Sequence, residues 1–154
     1  MSTATVFDVA AYILEKVGSV TAMKLQKLVY YSQAWSLVWD DSPLFDEPIQ
    51  AWANGPVVPA LFAAHQGQFK VSRESLPVGN PDNLTASEQE TVDAVIKYYG
   101  EKSSQYLSDL THMEDPWRKA RAGMLDGERG NQVITHAALD EYYGSLPPGT
   151  EMTA

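Results

Sequence analysis

The segment 21–39 constrains the fold more than any other, because it reads as a helix with apolar residues on nearly every side. With successive side chains turning by about 100°, Leu25, Leu28, Val29, Ser32, Trp35 and Trp39 share one face, and Met23, Tyr30, Ala34 and Leu37 widen the apolar sector. A helix lying on the surface of a core needs only a stripe. This breadth calls for neighbours on several sides and predicts a central, buried helix. Lys24, Lys27 and Tyr31 make the narrow strip left over, and that strip is expected to face solvent or a partner.

The flanking sequence supplies such neighbours. Thr5 and Asp8 stand in capping-box spacing ahead of Val6, Val9, Ala10, Ile13 and Val17, and Gly18 closes that helix. A second capping box, Thr85 with Glu88, precedes the stripe Val92, Val95, Ile96 and Tyr99, with Asp93 and Lys97 expected to pair on the outside. Ser103 or Ser104 caps a short helix through Leu107 and Leu110. Asp115-Pro116 opens another, and Thr135 caps a last one with Leu139, Tyr142 and Tyr143 inward.

Between these helices the chain turns irregular. A strand is expected near 49–53, a turn at Asn54-Gly55-Pro56, a short helix over 57–65, a long loop over 67–83 and a three-residue strand at 132–134. A two-stranded ribbon joining 49–53 to 132–134 is open to the chain, although the pattern does not demand it. The expectation is a mostly α fold: one compact helical domain over 1–146 around a buried helix, with residues 147–154 a disordered tail.

Composition excludes several function classes. The chain of 154 residues has no cysteine, which removes disulfides, thiolate metal sites and a cysteine nucleophile and fits a reducing cytoplasm. Eleven Lys and Arg against 20 Asp and Glu give a net charge of −9, unsuited to phosphate backbones, so no nucleic-acid partner is expected. No apolar run reaches the length of a membrane span and no basic leader opens the chain, so no membrane partner is expected either.

Catalytic signals are equally sparse. His65, His112 and His136 lack metal-ligand spacing, so no metal is expected, and His136 falls on the inward stripe of Leu139 and Tyr143. His112, Glu114 and Asp115 could form an acid/base cluster, but capping at a helix junction explains them at less cost. The pairs Asp40-Asp41 and Asp46-Glu47 are adjacent in sequence and cannot face each other across a cleft unaided. No nucleophile elbow, phosphate loop or dinucleotide fingerprint is present, so neither a cofactor nor an enzymatic activity is expected. What remains is aromatic surplus: four tryptophans and the doublets Tyr30-Tyr31, Tyr98-Tyr99 and Tyr142-Tyr143. Two adjacent helical rings point about 100° apart, so one of each doublet is expected inward and its neighbour toward the rim.

Two stretches go beyond composition: Met23-Lys24-Leu25-Gln26-Lys27-Leu28-Val29-Tyr30-Tyr31-Ser32-Gln33-Ala34-Trp35, and Pro43-Leu44-Phe45-Asp46-Glu47-Pro48-Ile49-Gln50-Ala51-Trp52-Ala53-Asn54-Gly55-Pro56-Val57-Val58-Pro59. Together they resemble the Panacea domain, the SocA-like antitoxin family, with weaker likeness through Asp115-Pro116-Trp117 and the closing helix. The motif opens by residue 23, and the chain is expected to be that domain standing alone. The resemblance implies a non-enzymatic antitoxin that neutralises a toxin encoded beside it by direct protein contact. Toxins met by the family include alarmone-synthetase-like enzymes that block translation. Some relatives act instead as proteolytic adaptors that deliver a bound toxin to a protease.

Within the motifs, Leu25, Leu28, Val29 and Trp35 read as core, while Lys24, Lys27, Tyr31 and Gln33 have no packing reason to be there. These four are expected to bind the partner or to order the Gly-Pro segment through Trp52 and Asn54, with Trp39 as a further contact. The alternative pairs Lys24 and Lys27 with carboxylates elsewhere in this acidic chain. The variety of toxins also directs attention to loops such as 67–83 as the contacting surface.

Overall fold

A computed structural model of the protein describes residues 4–146. The first helix, α1 (Val6–Val17), starts with Thr5 and Asp8 each serving the other's backbone and stops at Gly18. A two-residue strand, β1 (Val20–Thr21), leads into α2 (Ala22–Trp39), whose first turn is capped by the Thr21 hydroxyl accepting from the Lys24 N–H. Then follow β2 (Ile49–Trp52), β3 (Gly55–Val57), α3 (Pro59–His65), β4 (Lys70–Val71) and a 3₁₀ turn at Pro81–Asn83. The rest is α4 (Ala86–Tyr99), α5 (Ser104–His112), α6 (Asp115–Ala120), β5 (Val133–Ile134) and α7 (His136–Gly144).

The fold is mostly α, and α2 is its axis: α1, α4, α5, α7 and β3 all pack against it. Side chains on every side of α2 are therefore buried, among them Leu25, Leu28, Val29, Tyr30, Ala34 and Trp35. They meet Val9 and Ile13 of α1, Val92 and Val95 of α4, and Leu139 of α7 in one core. Each such aliphatic side chain contributes roughly 1.5–3 kcal/mol, which outweighs the weak helix propensity of the aromatic and β-branched residues in α2.

Both capping boxes form as expected. Asp93, however, does not pair with Lys97; it reaches across to α1, accepting from the Tyr12 hydroxyl at 2.8 Å and lying 3.8 Å from Lys16. The helix faces itself less than it faces its neighbour. Burial, and then Asp93, push the Tyr12 phenol up to about 12.

The ribbon exists, with Ile49 opposite Ile134 and Gln50 opposite Val133, but it carries a third strand. Antiparallel β3 pairs Gly55 with Trp52, Pro56 with Ala51 and Val57 with Gln50, giving the order β3-β2-β5. Proline is tolerated there because β3 is an edge strand and its missing N–H breaks no ladder. Inside the segment expected as a long loop, β4 pairs with β1, Val71 opposite Val20. The tail 147–154 lies outside the described residues.

Candidate partner-binding groove

Polar side chains of α2 do not line a surface strip; most of them turn inward and hold irregular chain to the helix. Gln26 is a two-point clasp: its Oε1 accepts from the Val58 N–H at 2.9 Å and its Nε2 donates to the Val58 carbonyl at 3.4 Å. The same Nε2 also donates to His65 Nε2 at 3.0 Å, so that ring nitrogen is an acceptor and the buried imidazole is neutral. Burial lowers the His65 pKa in the same sense. About two turns along the helix, Gln33 repeats the clasp on another segment, donating to the Phe45 carbonyl and accepting from the Leu44 N–H at 2.7 Å.

Lys27 and Tyr31 are corrected by the structure: both have 0% exposure, so neither faces solvent. Lys27 Nζ donates to the Pro56 carbonyl at 3.3 Å and touches Met23 Sδ at 3.2 Å. Among the described residues no ion pair includes Lys24 or Lys27. Without a counter-charge, burial pulls the Lys27 ammonium down to about 7. Tyr31 donates to Glu114 Oε1 at 2.7 Å, Tyr143 donates to the same oxygen at 2.7 Å, and Tyr30 meets the Tyr143 hydroxyl at 3.1 Å. Burial, with the Glu114 carboxylate adding to it, holds the Tyr31 phenol well above its usual range. Lys24 is half-buried and caps α4, donating to the Gly100 carbonyl at 2.6 Å.

Gln26 and Gln33 thus hold the chain on either side of the hairpin β2-β3. Its backbone carbonyls are taken one after another by side chains: Ala51 by Arg121 at 3.0 Å, Trp52 by Trp117 Nε1 at 2.8 Å, Ala53 by His112 Nε2 at 3.2 Å and Asn54 by Ser108 at 2.8 Å. Lys27 completes the row at Pro56. Gly55, with φ 123°, lies so close to the lysine that a Cβ there would stand 2.6 Å from Lys27 Cε. The turn residue is glycine because of both the conformation and the approach.

The suspected acid/base cluster disperses into the same scaffolding. His112 lies between the Ala53 carbonyl of the hairpin and the Ser108 carbonyl, Glu114 accepts from two tyrosines, and Asp115 lies 3.7 Å from Arg118 and 3.6 Å from Lys119. His136 is exposed at the start of α7 rather than packed on the stripe of Leu139. The aromatic doublets also divide: Tyr98 lies toward the surface with Tyr99 buried, as expected; Tyr143 is buried while Tyr142, expected inward on the last helix, is only half-buried at the rim; and Tyr30 and Tyr31 are both buried because α2 has neighbours on both sides. Among the described residues no group of His, Asp and Glu is arranged to hold a metal ion, and no helix is long and apolar enough to cross a membrane.

Beside the hairpin lies an open groove of about 1100 Å³. Its floor is the first turns of α2, with Met23 and Gln26; one wall is Trp52, Asn54 and Val57, and the other is Phe62 and the chain from His65 to Phe69. Trp52 packs edge-on against Phe62 with ring centres 5.0 Å apart, and its Nε1 donates to Gln50. Of the residues expected at a partner surface, the groove thus gathers Trp52 and Asn54. Trp39 is 41% exposed but sits at the far end of α2, roughly 24 Å along the helix from Met23 at about 1.5 Å per residue. Sequence reasoning did not find Gln26, Phe62, His65 or Arg129 as groove residues, and it reached Gly67, Gln68 and Phe69 only as the start of the loop 67–83; the run His65-Gln66-Gly67-Gln68-Phe69, rich in amides and ending in an exposed aromatic, was the available signal.

A model of the family described as antitoxin SocA-like, Panacea domain, matches residues 25–118, while no curated protein and no solved structure matches the chain. The match opens in α2, three residues after the helix begins, and runs into α6. It therefore takes in Lys27, Ser108, His112 and Trp117, which hold the hairpin carbonyls, and leaves out Arg121. With that one model covering more than half of its 154 residues, the chain belongs to the SocA-like antitoxin family, Panacea domain.

Proposed function

We propose that this chain is the antitoxin of a toxin-antitoxin pair and neutralises the toxin encoded beside it by stoichiometric protein contact. The observation that carries this reading is the family match over the motif segment, 25–118. It is supported by how the polar groups of α2 are used: Gln26, Lys27, Tyr31 and Gln33 hold backbone or a buried carboxylate, which leaves them positioning the hairpin and the chain around it rather than performing chemistry. In this reading Trp52 and Asn54 belong to the contact surface, and the chain acts in the cytoplasm on a translation-blocking, alarmone-synthetase-like enzyme.

Co-expression with the product of the adjacent reading frame, in a host that the product alone arrests, tests the proposal. Rescue with a stable one-to-one complex on co-purification is expected, and neutralisation should require equimolar chain. Rescue at a small fraction of the toxin concentration would instead indicate turnover. Rescue that vanishes when a host protease is deleted, with binding retained, would make the chain an adaptor for degradation.

A further inference from the structure

We infer that the groove beside the hairpin receives an extended peptide segment of the partner that carries an apolar side chain and a carboxylate; this rests on the antitoxin reading above. Three properties of the groove lead there. The first is charge. The chain has 20 Asp and Glu, yet none lines the groove, and the one formally charged residue on it is Arg129. An acid-free trough in a protein of net charge −9 is the place where an acidic segment meets least repulsion, and Arg129 supplies the attraction.

The second property is unspent hydrogen bonding. Among the described residues, the side chains of Asn54, Gln66, Arg129 and Asn131 make no hydrogen bond or ion pair, although all four line the groove. A carboxamide carries a donor pair and an acceptor, which matches the alternating N–H and C=O groups of an extended backbone. The third is apolar footing: Phe69 is 80% exposed on the rim, and the Trp52–Phe62 pair with Met23 lies below it. At about 1100 Å³ the groove exceeds what most small ligands need, and a single arginine is too little cation for a nucleic acid. A polypeptide segment fits size, charge and hydrogen-bonding pattern together.

The test uses the full chain, the product of the adjacent reading frame, and overlapping 15-residue peptides spanning that product. Phe69→Ala removes the apolar rim, and Gln66→Glu with Asn131→Glu places acids in the acid-free trough; all three positions are exposed, so the melting temperature should stay unchanged. One peptide, or a few overlapping ones, with an apolar residue near an Asp or Glu should bind the unaltered chain. Both variants should weaken that peptide and the whole product at least tenfold. If the unaltered chain binds and neutralises the product while both variants bind within twofold of it, or if the bound peptides are basic, the groove proposal falls and the antitoxin reading stands. If the unaltered chain neither binds nor neutralises the product, the antitoxin reading falls and the groove proposal with it.

Discussion

The middle of α2 and the groove rim are both rich in polar side chains and differ in what those side chains have left to give. Along α2, Gln26, Lys27, Tyr31 and Gln33 are fully or almost fully buried, and each spends its hydrogen bonds inside the molecule. On the rim, Asn54, Gln66 and Asn131 are exposed and have spent none among the described residues. The first set therefore sets shape and the second is available for recognition. A motif can be indispensable to a binding protein without touching the partner.

Substitutions should separate the two regions, beginning with the largest effect. Gln33→Ala withdraws the amide serving the Leu44 N–H and the Phe45 carbonyl and opens a buried space. We expect a loss of about 3 kcal/mol, a fall of roughly 6–12 °C in melting temperature by circular dichroism. A change under 2 °C would show that the clasp is not structural. Next comes Gly55→Ala, which combines a φ of 123° with an approach of 2.6 Å to Lys27 Cε; a loss of about 2 kcal/mol is expected in a urea titration.

Lys27 gives a third, pH-dependent effect. Its pKa lies at about 7 in the folded chain against 10.5 ordinarily, so between those values the unfolded state binds more protons and stability rises with pH. The slope is expected to be on the order of 1 kcal/mol per pH unit from pH 7 to 9, and Lys27→Met should flatten it. Equal slopes in the two proteins would contradict a buried, unpaired ammonium. Smallest on stability is Phe69→Ala, whose side chain is 80% exposed: a change within about 0.5 kcal/mol, together with lost neutralisation, is the inverse of the pattern expected for Gln33→Ala.

The sequence discloses the helices because their signals are local. Thr5 with Asp8 and Thr85 with Glu88 cap from three residues away, and the apolar breadth of 21–39 announces a central helix. The strand β3 stays hidden because Gly55-Pro56 looks like a turn and is also an edge strand. The inward turn of Lys27, Tyr31 and Gln33 stays hidden for another reason. Helical periodicity assigns polar residues to solvent, whereas these find partners at Pro56, Glu114 and Phe45, far along the chain. The groove is less legible still, since it is assembled from α2, the hairpin, residues 65–69 and residues 129–131. Of its wall, Trp52 and Asn54 were readable only as part of a family motif.

Hydrogen–deuterium exchange of the chain, free and bound to the product of the adjacent reading frame, sets the two regions against each other in one experiment. Binding through the groove should add protection at 52–54, 65–69 and 129–131 and leave the middle of α2, already buried, unchanged. Protection confined to the opposite end, around Trp39, or to the exposed Tyr98 and Tyr106, would contradict it.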